Sequence, residues 1–454
     1  MYRICGAFVA AVVILSACLC DLAPAQELGP EVEYEARGVW LTLSLALSNQ
    51  SLSEIVSQLQ QHNLNLVLVL YQPDQPLKEF AEACHQAGIE VHIWVVPSSL
   101  VPECPEELQL HAYSTKDGDF TALRPAFFME GYSQLAAAGA VEIVTAIPCD
   151  GLHLDGVRYG VPWTNLSPEA IARFAEDTGT EIEDIRNDII KVDSLRPDNV
   201  GKSREWAGRH LTAWARWRCQ VIADLFGAVA RAVKATDPRL SMSNACMTDW
   251  GSGLYYGVDY GLLAPHLDFF VPMAYYNRYG KDAAWSIRRC RQIAIEAQAA
   301  NPNCRVYAGV ATYSHSRCRT WISQTVREAA KAQKLTAEQV DDNQLLTYQT
   351  GPQMLHSASW LYRRGLISAD TYAKMLNAII SDEEIIEAVR LMRAGRDTSL
   401  PGADEYEAEG PVEGIVFFRY TCMYPDYVQG VVGNLWDKLL PVFPKPAGLP
   451  HREQ

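Results

Sequence analysis

Asp150-Gly151-Leu152-His153-Leu154-Asp155-Gly156-Val157-Arg158-Tyr159 decides how the whole chain is read. Its apolar core, Gly151 to Val157, has the length of a strand, and side chains alternate along a strand with period two. Leu152 and Leu154 therefore share one face, and His153 and Asp155 share the other. In a parallel sheet packed beneath helices, the leucines meet the helices. His153 and Asp155 then point inward, with Asp155 at the C-terminal end. A carboxylate placed there is costly unless it has partners or a task. The plainer alternative is an ion pair with Arg158 that only fixes the loop.

On either side of this segment, apolar runs of strand length alternate with amphipathic helical stretches from residue 36 to the C-terminus, the pattern of a parallel α/β sheet. Eight runs can be traced: Ala36 to Leu43, Leu64 to Tyr71, Ile89 to Val96, Gly151 to Val157, Leu240 to Cys246, Phe269 to Tyr275, Val306 to Thr312 and Gly414 to Tyr420. Helices are expected between them, among them Ser51 to Gln61, Leu77 to Gln86, Trp214 to Ala235, Ala283 to Ala300 and Tyr427 to Leu440. Eight such units predict an α/β fold, a closed (β/α)8 TIM barrel spanning residues 31–441. Two connections exceed what a barrel needs. Residues 160–210 follow strand four, and residues 314–411 precede strand eight. Both leave from C-terminal strand ends, where barrels build binding surfaces, so they read as helical walls of a cleft. Residues 442–454 read as a tail.

Met1-Tyr2-Arg3 followed by the apolar run Ile4 to Cys20 has the form of a signal peptide, residues 1–25. Ala23-Pro24-Ala25 fits ordinary cleavage, while Leu15-Ser16-Ala17-Cys18 matches a bacterial lipobox with Cys18 as the lipidated residue. Both patterns predict export to the periplasm, the cell envelope or the medium, with membrane contact only through an anchor at Cys18. The net charge of −15 leaves no excess of Lys and Arg to neutralise phosphates, so nucleic acid is excluded as a partner. The cysteines beyond the leader are irregularly spaced and form no CxxC. The spacing is compatible with one or two bridges, Cys290 with Cys304 or Cys318 among them, and most of the cysteines read as small buried fillers. The histidines show no HExxH or related spacing, so neither a metal nor another cofactor is expected.

Other strands contribute to the same interior. His92 and Trp94 share a face of strand three, Met273 and Tyr275 a face of strand six, and Trp40 lies on strand one. Ser241, Ser243 and Ala245 on strand five are small enough to leave room for a ligand. Asp249 follows in the next loop. Together these residues outline a pocket the size of a sugar, although each aromatic taken singly reads better as a core residue.

In this order, Arg37-Gly-Val-Trp40, Asp150 to Tyr159, Phe174 to Gly179, Trp214 to Arg218, Ser243 to Trp250 and Leu267 to Tyr276 resemble the bacterial family-ten glycosyl-hydrolase-like barrels. The strand-four pattern of that family is Asp-Gly-Ile-His, a hydrophobic residue, Asp, and a short run to Arg-Tyr. The resemblance implies that Asp155 is the catalytic acid, that Arg158 and Tyr159 shape the pocket, and that Tyr275 contacts the sugar. Two departures stand out. Gly156 replaces a bulky residue or second Asp, and Gly160 replaces a Pro.

Glycoside hydrolysis normally uses two carboxyl groups, one as acid and one as nucleophile or base. With Asp155 as general acid, Asp249 is the first candidate for the second group and Asp74 the next, since strands seven and eight carry no carboxylate. Assistance by an N-acetyl group of the substrate removes that need in exceptional families, which favours amino-sugar polymers such as peptidoglycan glycan or exopolysaccharide. The expected activity is cleavage of O-glycosidic bonds in an extracytoplasmic polysaccharide, with Trp40, His92, Trp94, His153, Arg158, Tyr159, Ser243, Met273 and Tyr275 around the substrate. The rival reading is a catalytically inactive barrel that binds glycans.

Overall fold

A computed structural model describes residues 33–114, 119–159, 166–189, 208–248, 253–254, 256–279, 281–312, 316–343, 345–346, 351–378, 382–393, 411–418 and 435–452. The leader with Cys18, and Asp249, lie outside the described residues. Among those described, no helix is long and apolar enough to cross a membrane.

Each expected strand is present: β1 (Ala36–Leu41), β2 (Leu66–Leu70), β3 (Glu90–Val95), β6 (Gly151–Leu154), β7 (Ser241–Cys246), β8 (Phe269–Pro272), the broken strand β9 (Arg305–Val306) with β10 (Ala308–Ala311), and β11 (Gly414–Phe418). All pair in parallel, in the order β10-β11-β1-β2-β3-β6-β7-β8-β9. Because β9 and β10 flank the single residue Tyr307, one strand joins β8 on one side to β11 on the other. A bridge between Met273 and Gly309 helps seal the seam. The sheet therefore closes on itself as an eight-stranded TIM barrel.

The barrel axis is filled by Trp40, Leu66, Leu68, Ala245, Phe269, Val271, Tyr307 and Val416, all buried. Gly309 makes room for the Trp40 indole, since a Cβ there would lie 2.9 Å from the ring and 2.5 Å from the Pro272 carbonyl oxygen. Outward-facing leucines and valines of the strands meet the helices, as the alternation along β6 requires.

The long connections are helical, as expected. Ser167 caps the helix Pro168–Thr178 by accepting from the Ala170 amide, and Gly179, at φ +66°, ends it. The connection before β11 contains Ser316–Ala332, Ala337–Asp342, Gly351–Arg363, Ala369–Ala378 and Asp382–Arg393. A third excursion was not anticipated. After β3 the chain forms an antiparallel hairpin, β4 (Gln109–Ser114) and β5 (Asp119–Pro125), before the helix Glu130–Ala146 returns it to the barrel.

Residues read as a tail also differ. Pro450–Arg452 forms a 3-10 turn, His451 is buried, and Gly448 bridges to Tyr34. His451 reaches into the N-terminal end of the barrel and meets Phe269, ring centroids 4.8 Å apart. This segment closes the end of the barrel opposite the mouth. The bridge between Cys290 and Cys304 is not formed. Cys84, Cys219, Cys246, Cys290 and Cys304 are buried free thiols, and Cys104 and Cys149 are half-buried free thiols. The Cys318 side chain lies outside the described ones.

Candidate active site at the barrel mouth

Asp155 follows the last residue of β6, with its amide donating to the Val95 carbonyl of β3 at 2.9 Å. This places it at the C-terminal mouth. Its side chain is 19% exposed. One carboxylate oxygen accepts from Trp94 Nε1 at 3.2 Å, and the other accepts from an Arg158 guanidinium nitrogen at 3.1 Å. Both flanking residues are consequences of local sequence. Trp94 is held inward by alternation in β3. Arg158 turns back on Asp155 because Gly156, at φ +69°, reverses the chain immediately after the strand. That left-handed conformation is open to glycine and resisted by a side chain, so a second Asp at position 156 would be strained.

Around this carboxylate stands an aromatic layer. Phe418, at the end of β11, stacks on Tyr275 with centroids 5.3 Å apart and planes at 21°, and presents its edges to Trp40 at 5.5 Å and Trp94 at 6.2 Å. Met273, Trp94 and Phe418 are half-buried. Phe418 was not among the sequence candidates, although alternation with the inward Val416 could have found it.

Below that layer, His92, His153 and Ser243 are fully buried and bond to one another. Trp40 Nε1 can only donate, and it lies 3.2 Å from His153 Nε2, which must therefore accept. Burial, aided by nearby His92, holds His153 far below the ordinary histidine range, so it is neutral and carries its proton on Nδ1. That proton faces Ser243 Oγ at 2.9 Å. The Ser243 hydroxyl is in turn 3.3 Å from His92 Nδ1, and His92 Nε2 is 2.8 Å from Glu90. These residues, expected against substrate, form a polar layer that supports the mouth from beneath. Trp40, 1% exposed, belongs to the same floor.

Glu90, His92 and His451 bring potential metal-ligand atoms within 4.8 Å of one another at the end of the barrel away from Asp155. His92 and His451 each place Nε2 2.8 Å from Glu90 Oε1, while Arg452 Nε donates to Oε2 at 2.8 Å. With a guanidinium already on the carboxylate, this arrangement suits a hydrogen-bonded lock better than a cation.

Beside Asp155, between the hairpin and the loop after β6, lies a cavity of about 770 Å³. Gly156, Arg158 and Tyr159 form one wall, and Glu103 and Arg124 belong to the excursion after β3. Tyr159 is almost wholly buried, its ring covered by the Arg218 guanidinium at 4.2 Å. Burial lowers Arg218 to about 10, while the nearby Tyr159 acts in the opposite direction. Asp74, the other candidate partner, is exposed in the loop after β2 and meets Gln75. Glu103 and the hairpin escaped sequence reasoning because the segment between Pro97 and Pro125 lacks a long apolar run.

No protein-family profile and no curated protein matches the chain. Solved structures with a similar course include the PgaB (BpsB) glycoside hydrolase domain from Bordetella bronchiseptica, at 14% identity and TM-score 0.45, with 62% of this chain and 85% of that one covered. The catalytic domain of β-amylase from Paenibacillus polymyxa aligns at 11% identity and TM-score 0.41, covering 65% and 90%. The spore cortex-lytic enzyme SleL from Bacillus cereus aligns at 10% identity and TM-score 0.36, covering 63% and 52%. At these values the likenesses carry nothing about activity, and what the chain does has to be read from its own residues.

Proposed function

We propose that this protein hydrolyses O-glycosidic bonds in a polysaccharide outside the cytoplasm, with Asp155 as a catalytic carboxyl. The observation that carries the reading is Asp155 itself, a partly exposed carboxylate at the mouth of a TIM-barrel strand, gripped by Trp94 and Arg158 and bordered by the Phe418–Tyr275 stack. Aromatic faces bind the apolar faces of sugar rings, and the C-terminal strand ends are where barrel enzymes place reacting groups.

The sequence alone suggested that Asp155 donates the proton. In the site it is the anion of an ion pair with Arg158, and both its oxygens accept N–H bonds. That arrangement favours the other half of a two-carboxyl mechanism, the base or nucleophile. Trp94 and Arg158 orient it, which keeps its lone pairs directed without a cost at the moment of reaction.

Reducing-end release from a panel of cell-wall and exopolysaccharide glycans tests the proposal, comparing the wild type with Asp155→Asn. Loss of release in a variant with an unchanged melting curve supports hydrolysis. The ion pair of Asp155 with Arg158 also favours a second reading, a barrel that binds glycans without cleaving them. Glycan binding without release, equal in both proteins, selects that one.

A further inference from the structure

Two-carboxyl chemistry at Asp155 needs a partner, and the adjoining cavity holds a candidate. We propose that Glu103 is the second catalytic carboxyl, the group that protonates the leaving oxygen; this rests on the glycosidase reading above. Glu103 follows the short helix Pro97–Leu100 that leaves β3, so it hangs from the mouth end of the barrel. It lines the cavity together with Arg158, which grips Asp155, and with Gly156, the next residue in the chain. Among the described lining residues it is the sole carboxylate.

No hydrogen bond or ion pair reaches the Glu103 side chain among the described residues, in contrast to Asp155, whose oxygens are both engaged. Asp155 is thus held in one orientation by its two donors, whereas the Glu103 side chain is free to turn toward a bound ligand. Phe127, Tyr132 and Tyr256 also line this cavity, and although Asp155 itself does not, its neighbour Gly156 and its ion-pair partner Arg158 do, so a sugar seated there would meet both Glu103 and the guanidinium that holds Asp155.

In the reaction, the Glu103 proton passes to the glycosidic oxygen as the bond from C1 to that oxygen breaks, the bonding pair leaving with the oxygen. Water forms the new C1–O bond from the opposite face while Asp155 takes one of its protons. That proton returns to Glu103 through solvent, so the net change is the addition of one water.

The test measures the pH dependence of reducing-end release from a polymer that the wild type cleaves, for wild type, Glu103→Gln, Glu103→Asp and Asp155→Asn. The expected result for Glu103→Gln is a kcat lower by about 10²–10⁴-fold, the range for loss of a general acid. The alkaline limb of its pH–rate profile is lost, and KM changes little. Glu103→Asp recovers part of the rate, and the Gln variant melts as the wild type does, because the side chain is exposed. Wild-type kcat in Glu103→Gln, with release abolished in Asp155→Asn, overturns the assignment and leaves the glycosidase reading intact. A wild type that releases nothing from any glycan overturns both.

Discussion

Replacing Glu90 by Gln should loosen the closed end of the barrel and change how the protein responds to acid. Glu90 is 9% exposed and accepts four hydrogen bonds: Oε1 from His92 and His451 at 2.8 Å and from Arg452 at 3.0 Å, and Oε2 from Arg452 at 2.8 Å. An amide turns one of these acceptors into a donor. Either the two histidines or Arg452 then faces an N–H group, and the guanidinium loses its counter-charge. The buried donors of His92 and His451 left without an acceptor cost about 1–3 kcal/mol, while Arg452, whose side chain is 34% exposed, is partly compensated by solvent. The cost should itself depend on pH. Burial pushes the Glu90 carboxyl up, but hydrogen bonds from His451 and His92 outweigh it and hold the group well below the ordinary carboxylate range. A carboxyl depressed in the folded state contributes stability that is fully present above its unfolded value, 4.5, and is lost as pH falls below it. One unit below that value, near pH 3.5, the wild type has lost about 1.4 kcal/mol that the Gln variant never had. Urea unfolding followed by tryptophan fluorescence measures both quantities. A deficit under about 1 kcal/mol at pH 7.5, below the range for buried donors left without an acceptor, refutes the reasoning, as does a deficit that does not narrow between pH 7.5 and 3.5.

Other perturbations address neighbouring parts of the molecule. His451 is held below the ordinary histidine range by burial, against the raising effect of Glu90, so the wild type should begin to lose stability as pH falls below the unfolded value of 6.5, and His451→Phe should flatten that slope in the same urea titration. Gly309→Ala puts a methyl 2.5 Å from a carbonyl oxygen and 2.9 Å from the Trp40 ring, and overpacking of this kind costs about 1–3 kcal/mol, read as a lower urea midpoint. Phe418→Ala removes the ring stacked on Tyr275, and with such aromatic pairs worth about 0.5–1.5 kcal/mol beyond the lost burial it should lower the stability read from urea unfolding by at least that much.

The residues expected at the mouth divide according to how far local pattern reaches. Alternation along Gly151–Leu154 separates His153 and Asp155 from the two leucines, and it holds because inward and outward positions of a barrel strand differ in chemistry at each step. Alternation gives the direction of a side chain and not its depth. His153, Ser243 and His92 lie deep enough to bond to one another, whereas Asp155, two residues beyond His153 and just past the end of its strand, reaches the mouth. The hairpin Gln109–Pro125 was missed because two short strands in a mostly polar stretch leave no long apolar run, and their pairing depends on the partner strand.

Apolar runs and period-two contrasts between neighbouring residues are enough to locate the eight barrel strands, the helices Ser51 to Gln61, Leu77 to Gln86, Trp214 to Ala235 and Ala283 to Ala300, and the inward direction of Asp155, because burial in a parallel barrel acts on each residue locally. The first part of the expected helix Tyr427 to Leu440 lies outside the described residues. Folding in three dimensions brings Arg158 and Trp94 onto the Asp155 carboxylate, Glu103 to the adjoining cavity, and His451 to Glu90 across 361 residues of chain. Those contacts join residues that no local period relates, and closure of the barrel is what brings them together.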